Sequence, residues 1–153
     1  MAAQIAESSV GAVYIYQDTS ESSDWSTVTE KRILPSDKPT STQFAWNSLA
    51  IDRGTIVAGA RGDNELGESA GAAYVFEDTS SEANWTTYIE TKITPSDAVP
   101  TLRFGGAVAV NGPVIVVGSE RDGHAGTNSG AVYVFFRPLI FSDGFETGDT
   151  SAW

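Results

Sequence analysis

The chain has 153 residues, 41% of them hydrophobic and 19% charged, the balance of one globular domain and not of a disordered chain. Nine Lys and Arg stand against 20 Asp and Glu, a formal net charge of −11; a surface this acidic repels phosphate backbones and anionic lipid, so nucleic-acid binding is not expected. There is no cysteine, which excludes disulfides, thiol catalysis and Cys-ligated zinc, and no apolar run reaches the roughly 18 residues of a membrane helix, so no membrane insertion is expected.

Taken in chain order, the first residues, Met1 to Glu7, lack the basic and apolar regions of a signal peptide. Gly11-Ala12-Val13-Tyr14-Ile15-Tyr16 is a β-branched and aromatic run that reads as a strand. A second strand follows Trp25 and ends at Pro35-Ser36-Asp37. From here the pattern returns. Gly71-Ala72-Ala73-Tyr74-Val75-Phe76 lies 60 residues after the first run, and Gly130-Ala131-Val132-Tyr133-Val134-Phe135 a further 59 on. Trp85 answers Trp25, Pro95-Ser96-Asp97 answers Pro35-Ser36-Asp37, and Phe104 answers Phe44. Residues 11–37 and 71–97 share 13 of 27 positions. Self-similarity at this period marks a repeat architecture.

Each unit of about 60 residues reads as four short strands. The first is seen at Phe104–Val110, the second at Val114–Gly118, the third is the Gly-Ala-x-Tyr run, and the fourth follows the Trp, as in Thr86–Ile93. The nearly all-apolar second strand is expected to be buried on both faces, and the alternating fourth to be a half-solvated outer strand. Asp52-Arg53-Gly54 and Asn111-Gly112-Pro113 are tight hairpin connections, the latter with an Asn-Gly pair. No segment has a 3.6-residue period or a helix start signal. Repeated four-stranded antiparallel sheets that cannot bury both faces alone indicate an all-β partial propeller of about two and a half blades; the competing reading is a β-sandwich of unrelated hairpins. The expected blades are partial over 1–37, full over 38–97 and partial over 98–136.

The succession Phe104-Gly105-Gly106-Ala107-Val108-Ala109, Ile115-Val116-Val117-Gly118-Ser119 and Gly130-Ala131-Val132-Tyr133-Val134-Phe135 resembles the FG-GAP repeat over about residues 8–136. That family builds the seven-bladed propeller of integrin α subunits and occurs in many bacterial exported proteins. The middle copy departs from it, with Phe44-Ala45-Trp46-Asn47 for Phe-Gly and Gly59-Ala60-Arg61 without the usual Pro. Because a ring of this family needs more blades, the resemblance implies either missing upstream blades or a homo-oligomer. Residues 137–153 form a C-terminal tail in which Leu139-Ile140-Phe141 could complete the last blade; Asp143 to Trp153 resembles a tail of bacterial exported proteins.

The resemblance also raises calcium, which integrin blades hold between the first and second strands. Here those connections are too short to supply the six to eight oxygens the ion needs, so that metal site is expected to be absent. Weaker candidates are Asp63-Asn64-Glu65 and Asp122-Gly123, between the second and third strands, with solvated turns the expected alternative. Gly67-Glu68-Ser69-Ala70-Gly71 fits a hydrolase nucleophile pattern but enters a strand and not a helix, and His124, the sole histidine, reads as a surface loop residue. Arg61-Gly62-Asp63 spells an integrin-recognised tripeptide, and Asn84-Trp85-Thr86 a glycosylation sequon. Trp25 and Trp85 are expected to pack within blades, and Trp46 to be a core substitution before a ligand-facing aromatic. No catalytic residue, cofactor or metal is assigned. The expected function is a non-enzymatic propeller module of an extracellular or cell-surface protein, recognising a protein or carbohydrate ligand or serving as scaffold. The alternatives are an accessory segment of a larger exported hydrolase and a self-assembling small repeat protein.

Overall fold

The computed structural model describes residues 11–22, 24–37, 42–81 and 84–137. They form nine strands: β1 (Val13–Asp18), β2 (Val28–Ile33), β3 (Leu49–Asp52), β4 (Thr55–Ala60), β5 (Ala72–Asp78), β6 (Tyr88–Ile93), β7 (Phe104–Asn111), β8 (Val114–Ser119) and β9 (Ala131–Phe136). The described residues include no helix, hence none long and apolar enough to cross a membrane. The strands make three antiparallel sheets in sequence order, β1-β2, β3-β4-β5-β6 and β7-β8-β9. The Gly-Ala-x-Tyr runs occupy β1, β5 and β9, the third strand of each unit. The proposed outer strand at Leu139-Ile140-Phe141 and the rest of the tail lie outside the described residues.

Strand periodicity explains how the sheets stack. Side chains alternate between the two faces of a strand. Ile56, Ala58, Tyr74 and Phe76 of the second sheet pack against Val13 and Ile33 of the first. The opposite face, with Val57, Ala73 and Val75, packs against Leu102, Phe104, Ile115 and Val117. The second sheet is therefore sandwiched, and every residue of β4 is buried. In the third sheet β8 buries only every second residue, because no described element covers its far side. Each interface is seeded by the phenylalanine that opens the unit. Phe44 meets Tyr74 and Phe76 edge-on at ring separations of 5.5 and 6.1 Å, and Phe104 meets Tyr133 and Phe135 at 5.2 and 6.2 Å. Aromatic rings prefer this edge-to-face arrangement.

Close backbone approach fixes the spacing of adjacent sheets. A Cβ on Gly59 of β4 would collide with the carbonyl of Gly105 in β7, so only glycine lets these strands pass. Gly105 itself has φ +87, and its counterpart Ala45 has φ +55. The chain turns sharply at this point in both units: β7 carries a register shift between Phe104 and Ala107, and in the preceding unit β3 starts only at Leu49. The hairpins are as short as expected. In β3-β4, Arg53 and Gly54 both have positive φ, as a type I′ turn requires. In β7-β8, Asn111 already pairs with Val114, so the turn is Gly112-Pro113 with positive φ at Gly112, one residue beyond the Asn-Gly centre read from the sequence.

The three tryptophans of the described residues separate. Trp85 is buried between the first two sheets. Its counterpart Trp25 is 62% exposed, because no described element lies against that side of the first sheet. Trp46 is 58% exposed, so the core substitution expected there is corrected: the turn of positive φ at Ala45 and Asn47 directs it outward. The sheet-end loops after β1 and β5 are held by one aspartate each. Asp18 accepts from the backbone N–H groups of Ser20 and Trp25 at 2.8 and 3.0 Å; Asp78 does the same for Ser80 and Trp85 at 2.9 and 3.2 Å.

Candidate functional site

The Tyr of the Gly-Ala-x-Tyr run lies at the centre of a polar constellation that occurs twice. In the second sheet Tyr74 extends from β5, and its hydroxyl lies 2.9 Å from Asp37 Oδ2 and 3.3 Å from Asp63 Oδ2. Asp37 comes from the loop after β2, so the site spans two repeats. Asp63 opens the loop after β4. Its Oδ1 accepts the Glu65 N–H at 3.0 Å, and its carbonyl accepts the Gly71 N–H at 3.0 Å. These bonds close the loop locally and leave Oδ2 facing the phenol. Lys92 of β6 completes the group, with Nζ 2.8, 2.9 and 2.6 Å from oxygens of Asp37, Asp63 and Glu65, and it sits 5.3 Å from the Tyr74 ring centre.

Burial lies behind the electrostatics. Asp63 is 2% exposed, and a buried carboxylate needs partners. Burial raises the Tyr74 hydroxyl pKa above its ordinary value, and its bond to Asp37 adds to the rise. Burial alone would lower Lys92, but its bonds to Asp37, Glu65 and Asp63 outweigh that and hold the ammonium above its ordinary range. The expectation of solvated turns at 63–65 is thus corrected for Asp63, while Asn64 and Glu65 are exposed. The burial of Asp63 also removes Arg61-Gly62-Asp63 as a displayed recognition tripeptide, and Arg61 Nε is bound to Gln43 at 2.7 Å.

The third sheet repeats the arrangement with one change. The Tyr133 hydroxyl lies 3.0 Å from both Asp97 and Asp122. Asp122 is 2% exposed and closes its loop as Asp63 does, its carbonyl accepting the Gly130 N–H at 3.0 Å. At the position of Glu65 stands His124, whose N–H and Nδ1 are each 2.9 Å from Asp122 Oδ1. The His124 backbone N–H is the main cause that holds Asp122 below the usual carboxylate range, and the hydrogen bond to Asp122 raises the imidazole above its ordinary value. Burial, then the two carboxylates, push the Tyr133 hydroxyl upward. His124 is an exposed loop residue as read from the sequence, but a partnered one.

A cleft of about 660 Å³ opens beside the first constellation, lined among others by Ser36, Asp37, Thr42, Glu65, Glu90 and Lys92. Glu90 faces the preceding repeat, accepting the Ser36 N–H and Oγ–H at 3.0 and 2.9 Å. The alternation in β6 has a polarity the sequence did not disclose: Tyr88, Glu90 and Lys92 are on the half-covered face, and Ile89 and Thr91 are exposed. Among the described residues, the buried Thr42 hydroxyl has no hydrogen-bond partner. Ser69, the serine of the nucleophile-like pattern, lies in a loop with φ +50 that leads into β5, and its N–H is spent on Asn64 Oδ1 at 2.7 Å. The connections where integrin blades hold calcium are the two-residue turns Arg53-Gly54 and Gly112-Pro113.

The family model for the FG-GAP repeat matches residues 27–76 and 88–135, more than half of the chain. Neither the curated proteins nor the solved structures give a match to it.

Proposed function

Since the chain belongs to the FG-GAP repeat family, we propose that it is a non-catalytic β-propeller module of an extracellular or cell-surface protein, recognising a protein or glycan at the loop end of its sheets. The observation that supports this reading is the cleft between the first two repeats. It presents carboxylates, one ammonium and the unpartnered Thr42 hydroxyl on a rigid sheet scaffold, the small set of fixed polar groups that orients a polyhydroxylated or cationic ligand. A buried hydroxyl without a partner costs stability that a ligand group can restore. The test is binding of the full chain to a glycan array and a peptide panel, repeated with Thr42→Val and Glu65→Gln. At least one ligand is expected to bind and to weaken about tenfold in each variant. Binding that both variants leave unchanged, or no binding at all, refutes the cleft as the recognition site.

A second reading, association of chain copies through the outer sheet faces, is favoured by a different observation. Tyr14 and Tyr16 are exposed on the first sheet, and Val132, Val134 and Phe136 on the third. In the repeat, Tyr14 and Tyr16 correspond to Tyr74 and Phe76, and Val132 and Val134 to Ala73 and Val75, which are buried between neighbouring sheets. The two exposed faces are therefore the complementary halves of one sheet–sheet interface. A second copy would join head to tail, a heterologous contact. Light scattering gives the solution mass: a discrete oligomer supports this association, and a monomer at all concentrations rules it out.

A further inference from the structure

We propose that Asp97, Asp122 and His124 bind a divalent transition-metal cation of the zinc type, in the loops at the end of the third sheet. One ligand atom of each residue lies within 4.8 Å of the others, close enough to converge on one ion.

Two independent features point to a missing cation. The first is proton arithmetic. The Tyr133 hydroxyl lies 3.0 Å from Asp97 Oδ1 and 3.0 Å from Asp122 Oδ2, yet a phenol has one proton and can donate to one oxygen only. His124 serves Asp122 Oδ1, but Asp122 Oδ2 and Asp97 Oδ1 converge on the one phenol proton. The second is the equivalent site one repeat earlier. Asp37, Asp63 and Glu65 correspond to Asp97, Asp122 and His124, and there the molecule supplies its own cation, the Lys92 ammonium, in contact with all three carboxylates. Among the described residues no Lys or Arg contacts Asp97 or Asp122; their one basic neighbour is His124. The scaffold gathers negative charge in both repeats; in the third, the basic group among the described residues that faces it is the His124 imidazole, which can hold either a proton or, through a neutral ring nitrogen, a metal ion.

The change from Glu65 to His124 selects the kind of ion. Carboxylate oxygens alone suit calcium or magnesium, whereas an imidazole with two carboxylates is a donor set for zinc and its neighbours, with water in the fourth position. Three protein ligands are also too few for calcium, which needs six to eight oxygens. Tyr133 would act from behind, as an outer hydrogen-bond donor orienting a ligating carboxylate. The proposal does not depend on the recognition cleft, which lies at the preceding repeat.

The test is calorimetric titration of the tag-free full chain, stripped with chelator, with zinc, manganese and calcium chlorides at neutral pH. One zinc per chain is expected, with calcium at least a hundredfold weaker. His124→Gln and Asp97→Asn, both at exposed positions, are each expected to weaken zinc at least tenfold while the metal-free chain still unfolds cooperatively. Cobalt substitution provides a second readout, a visible d–d spectrum that both variants lose. Absence of zinc binding, or zinc binding that neither variant weakens, overturns the proposal.

Discussion

Replacing Lys92 with Met tests whether the repeat interface is held by charge. The side chain keeps its length and its contact with Tyr74 but loses the ammonium that touches Asp37, Asp63 and Glu65. Breaking a buried ion pair by removing one partner costs about 3–5 kcal/mol, because the other charge is left uncompensated. Only Asp63, 2% exposed, meets that condition; the side chains of Asp37 and Glu65 are 39% and 58% exposed, and water screens them. Asp63 also keeps its bonds to the Glu65 N–H and the Tyr74 hydroxyl. The expected loss is therefore about 2–3 kcal/mol, below the full range for a buried pair. With a urea slope of about 1–3 kcal/mol/M, the unfolding midpoint falls by about 1–2 M. Asp63→Asn removes the stranded charge while keeping an acceptor for Glu65. In the Lys92→Met background it should recover part of the loss, giving a coupling of at least about 1 kcal/mol in the double-mutant cycle. A single-variant loss under about 0.5 kcal/mol, or zero coupling, would show that the cluster is a solvated surface network and that the reasoning fails.

Three further outcomes are expected. Phe104→Ala should cost about 3–5 kcal/mol in guanidinium unfolding, because the ring is fully buried between two sheets; a loss under about 1 kcal/mol would mean the interface closes without it. Trp85→Ala should cost about 3 kcal/mol or more, whereas Trp25→Ala should stay within about 0.5 kcal/mol in the monomeric chain; equal costs would contradict the difference in burial. In the metal-free chain, the His124 imidazole should titrate above its ordinary 6.5 by NMR, and Asp122→Asn should bring it back down. Since the folded state raises this pKa, the stabilisation is complete below the unfolded value and fades as pH rises through the folded one; an unchanged or lowered value refutes the Asp122 contact.

The sheets were legible because a repeat imposes the same pattern more than once. Gly-Ala-x-Tyr at 60- and 59-residue spacing placed β1, β5 and β9, and the apolar run at 56–60 announced a strand buried on both sides. Legibility failed where contacts join different units. Asp37 and Lys92 are 55 positions apart in sequence, and nothing local indicates that one loop reaches the next sheet's outer strand. The signal was present all the same: Tyr74 and Tyr133 recur with the period, as do Asp37 with Asp97 and Asp63 with Asp122. A polar residue repeating in phase with the core phenylalanine belongs to the scaffold, and this marks it off from a solvated turn. The tryptophans teach the converse. Trp25 and Trp85 are equivalent in sequence, yet among the described residues only Trp85 has a neighbouring sheet to lie against, so equal residues do not imply equal burial.

That inequality makes Trp25 an intrinsic optical gauge. An indole 62% exposed emits in the red part of the tryptophan range; covered as Trp85 is covered, it would emit in the blue. Any partner sheet that settles on the first repeat, whether from a second copy or from further repeats, should therefore report its own arrival as a spectral shift. Trp25→Phe silences the reporter, so docking on that side can be followed in real time without a label.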